Sequence, residues 1–222
     1  MVFEFFKGGD STIDTVEATL VQMVRDGQEV FDTAMEALFG GGKSKETKRE
    51  IKTTDKGINV AQRDVRRELM IHASLHDKID LPLVLAYMST VKDVERIGDY
   101  SKNFYDLVKY GADFEGAPDH DELAAYRDRV SSLLDEAADT FEARDAERAR
   151  ELIAKADDFL DEHDAHVKAA YQWQGDPADA VSRALYYRFL KRITAHVMNF
   201  LTSLVLPVDR LDYYDEAKDD RE

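Results

Sequence analysis

Apolar residues recur along the first forty positions at steps of three and four: Ile13, Val16, Leu20, Met23, Val24, Val30, Phe31, Ala34 and Leu38. That spacing lines one side of an α-helix, and Ser11 or Thr12 can cap its start. The glycines of GGGKSK, from Gly40, end it. A second stripe, Ile51, Ile58, Val65 and Leu69, predicts a helix from about Lys45 to His72. A short connection around His76 to Asp80 follows. Pro82 fits the first turn of a third helix, which runs through Leu85, Met88, Val91, Val94, Ile97, Phe104 and Val108. The stretch GADFEGAPDHDE, with its glycines, Pro118 and acids, reads as a linker.

The pattern then starts again. Shifted by 110 positions, Ile13, Val16, Leu20, Met23, Val24 and Phe31 fall on Leu123, Tyr126, Val130, Leu133, Leu134 and Phe141. Shifted by 102, Ile58, Asn59, Val65 and Arg66 fall on Leu160, Asp161, Val167 and Lys168. Shifted by 96, Arg96, Ile97, Asn103, Phe104 and Val108 fall on Arg192, Ile193, Asn199, Phe200 and Leu204. The identical polar pairs Arg96/Arg192 and Asn103/Asn199 lie in one register, which two unrelated amphipathic stripes would not produce. The offset shrinks only where a loop shortens. This is an internal duplication. Short connections between long helices make neighbours antiparallel. The expected fold is all-α: two tandem antiparallel three-helix-bundle repeats with pseudo-twofold symmetry. The repeats span 10–112 and 119–210, and an acidic tail spans 211–222.

Composition narrows the function. The 222 residues include no cysteine, which excludes disulfide, zinc-thiolate, iron–sulfur and thiol-nucleophile chemistry. The net charge of -16 disfavours nucleic acid, whose phosphates need clustered Lys and Arg. It suits a chain that attracts cations or basic surfaces. The start, MVFEFFKGGDST, does not read as a signal peptide. The stretch from Ile193 to Val208 contains His196 and Asn199, stops at Pro207, and is too short and polar to span a bilayer. The expected location is the cytoplasm.

Candidate chemistry centres on Val94-Glu95-Arg96-Ile97-Gly98-Asp99-Tyr100. Glu95 and Asp99 are four apart and share a helix face, where like charges repel by a few tenths of a kcal/mol unless offset. Asp55 and Asn59 repeat the spacing on the second helix, so neighbouring helices can bring all four to one surface. Oxygen donors in that pattern suit Mg, Mn, Fe or Zn. The pattern Glu-Arg-Ile-Gly-Asp-Tyr followed by Asn103, in the third helix of a duplicated unit, resembles the PhoU family of phosphate-uptake and phosphate-signalling regulators. The Phe-rich opening is similar to that of related phosphate-permease accessory proteins. The resemblance covers about residues 10 to 206. It implies surface iron or zinc clusters held by Glu/Asp-x-x-x-Asp motifs on paired helices. Carried over, the first repeat offers Glu95, Asp99 and Asp55, with Asn59 where the family usually has an acid. The second offers Asp157 and Asp161, but Lys191 and Ala195 replace its other two acids, so that site is expected to be lost unless His196 substitutes.

Other features carry less. His72 with His76, and His163 with His166, have metal-capable spacing, but are expected to be surface or helix-end histidines. Tyr171, Trp173, Tyr186 and Tyr187 are expected to pack as core and cap near the last turn, or to form a partner patch. Phe3, Phe5 and Phe6 could anchor onto a transporter or onto the bundle. No Glu-x-x-His, phosphate loop or Gly-x-Ser-x-Gly occurs. The expected role is therefore non-enzymatic: binding a phosphate transporter or a phosphate-sensing histidine kinase. Membrane association is expected only through such a partner, and a homodimer stays open. The alternatives are a metal-dependent carboxylate-site enzyme and a metal-free helical adaptor.

Overall fold

The computed structural model describes residues 11–75 and 80–211. Phe3, Phe5, Phe6, His76 and the acidic tail from 212 onward lie outside them. Six long helices carry the described residues, and no strand occurs among these: α1 Ser11–Glu36, α2 Lys45–Leu75, α3 Leu81–Lys109, α4 His120–Glu142, α5 Ala146–Ala170 and α6 Pro177–Thr202. The fold is all-α, two antiparallel three-helix units related by a pseudo-twofold axis.

Local chemistry sets the helix ends. α1 widens into one π turn over Ala37–Gly41 and stops where Gly40 takes a φ of 116°. Gly42, at φ 65°, donates back to the Ala37 carbonyl at 2.8 Å. Both angles are left-handed values that glycine adopts without a Cβ penalty. Asp80 caps α3 and Asp176 caps α6, each with proline in the following turn. These caps are related by the same shift as the third-helix cores, so the repeat extends to its helix starts.

Burial bears out the two first-helix stripes: Ile13, Leu20, Met23, Val24 and Phe31 are inside, as are Leu123, Val130, Leu133, Leu134 and Phe141. Phe31 meets Phe104 at 5.5 Å, and their counterparts Phe141 and Phe200 stack at 4.3 Å. The second helices differ from the sequence alignment by one position. Leu152, Phe159 and His163 occupy the buried phase of Ile51, Ile58 and Gln62, while Leu160 and Val167 are half-buried flanks. Adjacent apolar residues in α5 make both registers look alike in sequence. The linker differs too. Phe114 is 2% exposed, and its N–H bonds the Leu38 carbonyl at 2.9 Å. Its ring meets Phe39 at 5.7 Å and Tyr186 at 5.3 Å. The connection between repeats is therefore packed into the core.

The halves join through helices that face their own counterparts. α1 lies antiparallel to α4, with Arg25 against Asp139 and Glu142, and Asp32 against Ser131. α3 lies antiparallel to α6, with Asp93 against Asn199 and Phe104 against Phe189. Such self-pairing is what a twofold axis requires. Tyr100 and His196, equivalent in the two repeats, stack on each other at 5.7 Å and 22°.

One cross-repeat tie involves the turn after α4. Arg144 has a φ of 52°, and Asp145 N–H reaches back to the Thr140 carbonyl at 3.1 Å. This is a Schellman end, where glycine is usual. Arg144 instead sends its guanidinium across to α1, bonding Asp14 at 2.6 Å and Glu17 through Nε at 2.9 Å. Glu17 is 8% exposed and also accepts from the Tyr87 hydroxyl. Burial, then the neighbouring Glu17 carboxylate, raises the Tyr87 pKa. A left-handed non-glycine residue costs about 1 kcal/mol, whereas stranding a buried carboxylate costs about 3 kcal/mol or more. Arg144→Gly is therefore expected to destabilise the protein in urea denaturation despite its easier backbone. Adding Glu17→Gln should restore most of the loss in a double-mutant cycle.

Candidate functional site

The expected carboxylates sit where α2 crosses α3. A Cβ on Gly98 would stand 2.8 Å from Ile58 Cδ1, so the absence of a side chain there lets the helices approach closely. This brings Asp55 and Asp99 within reach of one group, Lys102. Its ammonium lies 2.9 Å from Asp55 Oδ1 and 2.7 Å from Asp99 Oδ1. Burial pulls the Lys102 pKa down, but the two carboxylates outweigh it and the net shift is upward. Arg96 holds the other Asp99 oxygen at 3.3 Å.

Glu95 and Asn59 do not join that pair. Glu95 is 7% exposed, which corrects the expectation of an outward-facing carboxylate pair. Its Oε2 takes Lys92 Nζ at 2.6 Å and lies 3.9 Å from Arg96 Nε. The amide of Asn59 donates to the Asp55 backbone carbonyl at 2.8 Å. Sequence reasoning singled out the acids and missed Lys92 and Lys102. Both sit three positions from an acid on the same helix, a spacing that would have found them.

The second repeat is built differently. Asp161 is exposed and Asp157 half-buried. Lys191, at the position of Glu95, pairs with Asp164 at 2.5 Å. His196 does not stand in for the lost acid. Its Nδ1 lies 2.8 Å from Asp93 of the first repeat, whose same oxygen accepts from Asn199 at 3.2 Å. Of the other histidines, His72 lies at a helix end as expected, buried in the last turn of α2, whereas His163 is buried within α5 and not at the surface. His163 lies among Tyr126, Phe159 and Tyr187, and neither ring nitrogen has a hydrogen-bond partner. His166 stacks on Tyr187 at 4.2 Å and meets the Tyr126 hydroxyl at 2.9 Å. The aromatic group near the last turn divides: Tyr186 and Tyr187 are core, Tyr171 is 85% exposed, and the Trp173 ring covers Arg183 at 4.2 Å.

A groove of about 610 Å³ lies between α1 and α4. Its charged walls are the paired Asp14, Glu17, Arg25, Glu142 and Arg144.

Comparison with known proteins places this geometry. The PhoU domain model matches residues 20–108. A curated relative from Synechocystis, named "Phosphate-specific transport system accessory protein PhoU homolog", is 27% identical over 196 residues, covering 86% of each chain. The chain is thus similar to a PhoU homologue along most of its length, with the PhoU domain match confined to its first half. Crystal structures of PhoU show the same fold. That from Pseudomonas aeruginosa aligns at a TM-score of 0.76 and 22% identity, over 91% of this chain and 97% of that one. That of the phosphate transport system regulatory protein PhoU from Streptococcus pneumoniae aligns at 0.75 and 21%, over 89% and 93%.

The iron or zinc cluster that the PhoU resemblance implies does not fit these residues as arranged. An ammonium holds the space between Asp55 and Asp99, the Asn59 amide is turned to the backbone, and Glu95 is bonded to Lys92. Among the described residues no three acidic or histidine side chains converge as a donor set.

Two outcomes follow. Lys102→Met should leave Asp55 and Asp99 facing each other with only Arg96 still on Asp99, costing about 1 kcal/mol. The loss is read from the urea denaturation midpoints of the two proteins. His163 supplies the second. Burial foremost, then nearby Arg129, lowers its pKa from 6.5 to about 4. The folded protein then resists a proton that the unfolded chain accepts. Stability contributed by the neutral ring is complete above about pH 6.5 and falls as pH drops toward 4, by about 3 kcal/mol in total. His163→Leu should flatten that acid limb in a pH series of denaturation midpoints.

Proposed function

We propose that this chain regulates phosphate uptake and phosphate signalling from the cytoplasm. It would act by binding a phosphate transporter, its sensor kinase or both, rather than by catalysis. The carrying observation is the Synechocystis relative, whose printed name is that of an accessory protein of a phosphate-specific transport system and which matches over most of both chains. The PhoU domain match supports the same reading. The site favours binding over a metal-dependent reaction. The carboxylates an enzyme would use are already neutralised by Lys92, Arg96 and Lys102. The same clamps favour a regulator that works without a metal. A second copy of the chain is a further admissible partner.

The test is genetic and biochemical. Deleting the gene should change phosphate uptake or phosphate-responsive expression between replete and starved cells. Cross-linked, tagged full chain should recover a phosphate transporter or sensor kinase. Unchanged uptake and expression in both conditions would refute the proposal.

A further inference from the structure

The outward positions of α2 form an unbroken row at steps of three and four: Lys45, Arg49, Lys52, Lys56, Val60, Arg63, Arg67 and Met70. All eight are exposed and lie opposite the buried Ile51, Ile58, Val65 and Leu69. The row runs about 37 Å at 1.5 Å per residue. Arg67 pairs with Asp64 at 2.6 Å. Lys45, Arg49, Lys52, Lys56 and Arg63 make an ion pair with no described residue. Several cations elsewhere are clamped: Lys102 by Asp55 and Asp99, Arg129 by Glu162, Arg144 by Glu17 and Arg183 by Asp119. In a chain of net charge -16, this helix presents a straight line of five cations without an ion-pair partner among the described residues. The row ends among apolar side chains that nothing described covers. Met70 is 57% exposed, Ile71 50% and Leu75 74%, and Leu81 and Leu85 at the start of α3 are about as open.

We propose that this face of α2, with the apolar end of the α2–α3 hairpin, docks directly on an anionic lipid surface. Each cation near such a surface adds about the same increment of attraction, and a straight exposed row can bring all five to one plane. The apolar end adds what an acidic protein face would not need, side chains able to enter the headgroup layer. The acidic remainder does not cancel the attraction. On α2 itself the exposed Glu46, Glu50 and Glu68 lie about a third of a turn round from the row, and charges on the far side of the bundle lie more than a Debye length, about 8 Å, from the contact. Membrane contact of this kind would need no partner, in contrast to the expectation from sequence. The inference is independent of the phosphate reading, because vesicles contain neither transporter nor kinase.

The test is co-sedimentation of the full chain with vesicles of phosphatidylcholine alone or mixed with phosphatidylglycerol, at low and high salt. Binding is expected only to the mixed vesicles, and to weaken with salt. Lys52→Gln, Lys56→Gln and Arg63→Gln together should lower partitioning roughly a hundredfold, about fivefold per cation. Met70→Ser with Leu85→Ser should weaken binding while leaving its salt dependence unchanged. The exposed pair Arg150→Gln and Lys168→Gln on α5 should have no effect. Helical circular dichroism confirms that each variant is folded. Absence of binding to anionic vesicles, or equal binding by the triple variant, would overturn the proposal. Salt-dependent self-association in place of vesicle binding, lost in the triple variant, would also overturn it and assign the row to the acidic surface of a second copy. Neither failure would touch the phosphate-regulation reading.

Discussion

Two helices, α3 and α6, bury broad faces, and α6 is buried on every side from Ile193 to Thr202, so neither can be left at a surface. Val91, Val94, Ile97 and Phe104 of one, and Leu190, Ile193, Val197 and Phe200 of the other, are all buried. Each helix can be covered only if its own unit supplies two partners and the other unit supplies a third. The antiparallel pairing of α3 with α6 is the arrangement that does so, and it fixes the rest. It sets α1 against α4, turns α2 and α5 outward, and leaves the two hairpin tips at opposite ends of the molecule. The α2 surface that carries the cation row is free because α2 is peripheral.

Polar groups trapped at that central contact are matched in kind. Asp93 of the first unit holds both His196 and Asn199 of the second, and Arg192 reaches the Tyr100 hydroxyl at 3.3 Å. An unpaired charge in this position would cost several kcal/mol, so these contacts specify one register of α3 on α6. The ties at Arg144 and at Phe114 act farther from the axis. They staple the α4–α5 turn and the connecting loop onto the first unit.

Much of this was legible in the sequence because helical periodicity is a local signal. The stripes of α1, α3, α4 and α6 and the duplication could be read without coordinates, as could the family resemblance carried by Glu95 to Asn103. What could not be read depends on contacts between distant residues. Phe114 sits in a segment with every mark of a solvated linker, and only the pocket formed by Phe39, Tyr186 and Arg183 reveals its role. The α5 register slipped by one because Phe159 and Leu160 are adjacent and both apolar. The acids at 55 and 99 were found, but their cation was sought outside the chain, while Lys102 supplies it from within. His163 looked like a surface residue because an isolated histidine gives no sign of an aromatic enclosure.

The stacking of Tyr100 on His196 has a further meaning. In a symmetric dimer of single units, whatever residue sits beside the axis must face an identical copy of itself, so any charged or one-directional contact there is mirrored and self-opposed. Covalent fusion lifts that restriction. One side can keep tyrosine while the other becomes histidine, and the histidine can then answer an aspartate that has no acidic twin, since Phe189 stands at that place in the second unit. Asymmetry at the centre is thus a freedom available only to a chain that carries both halves.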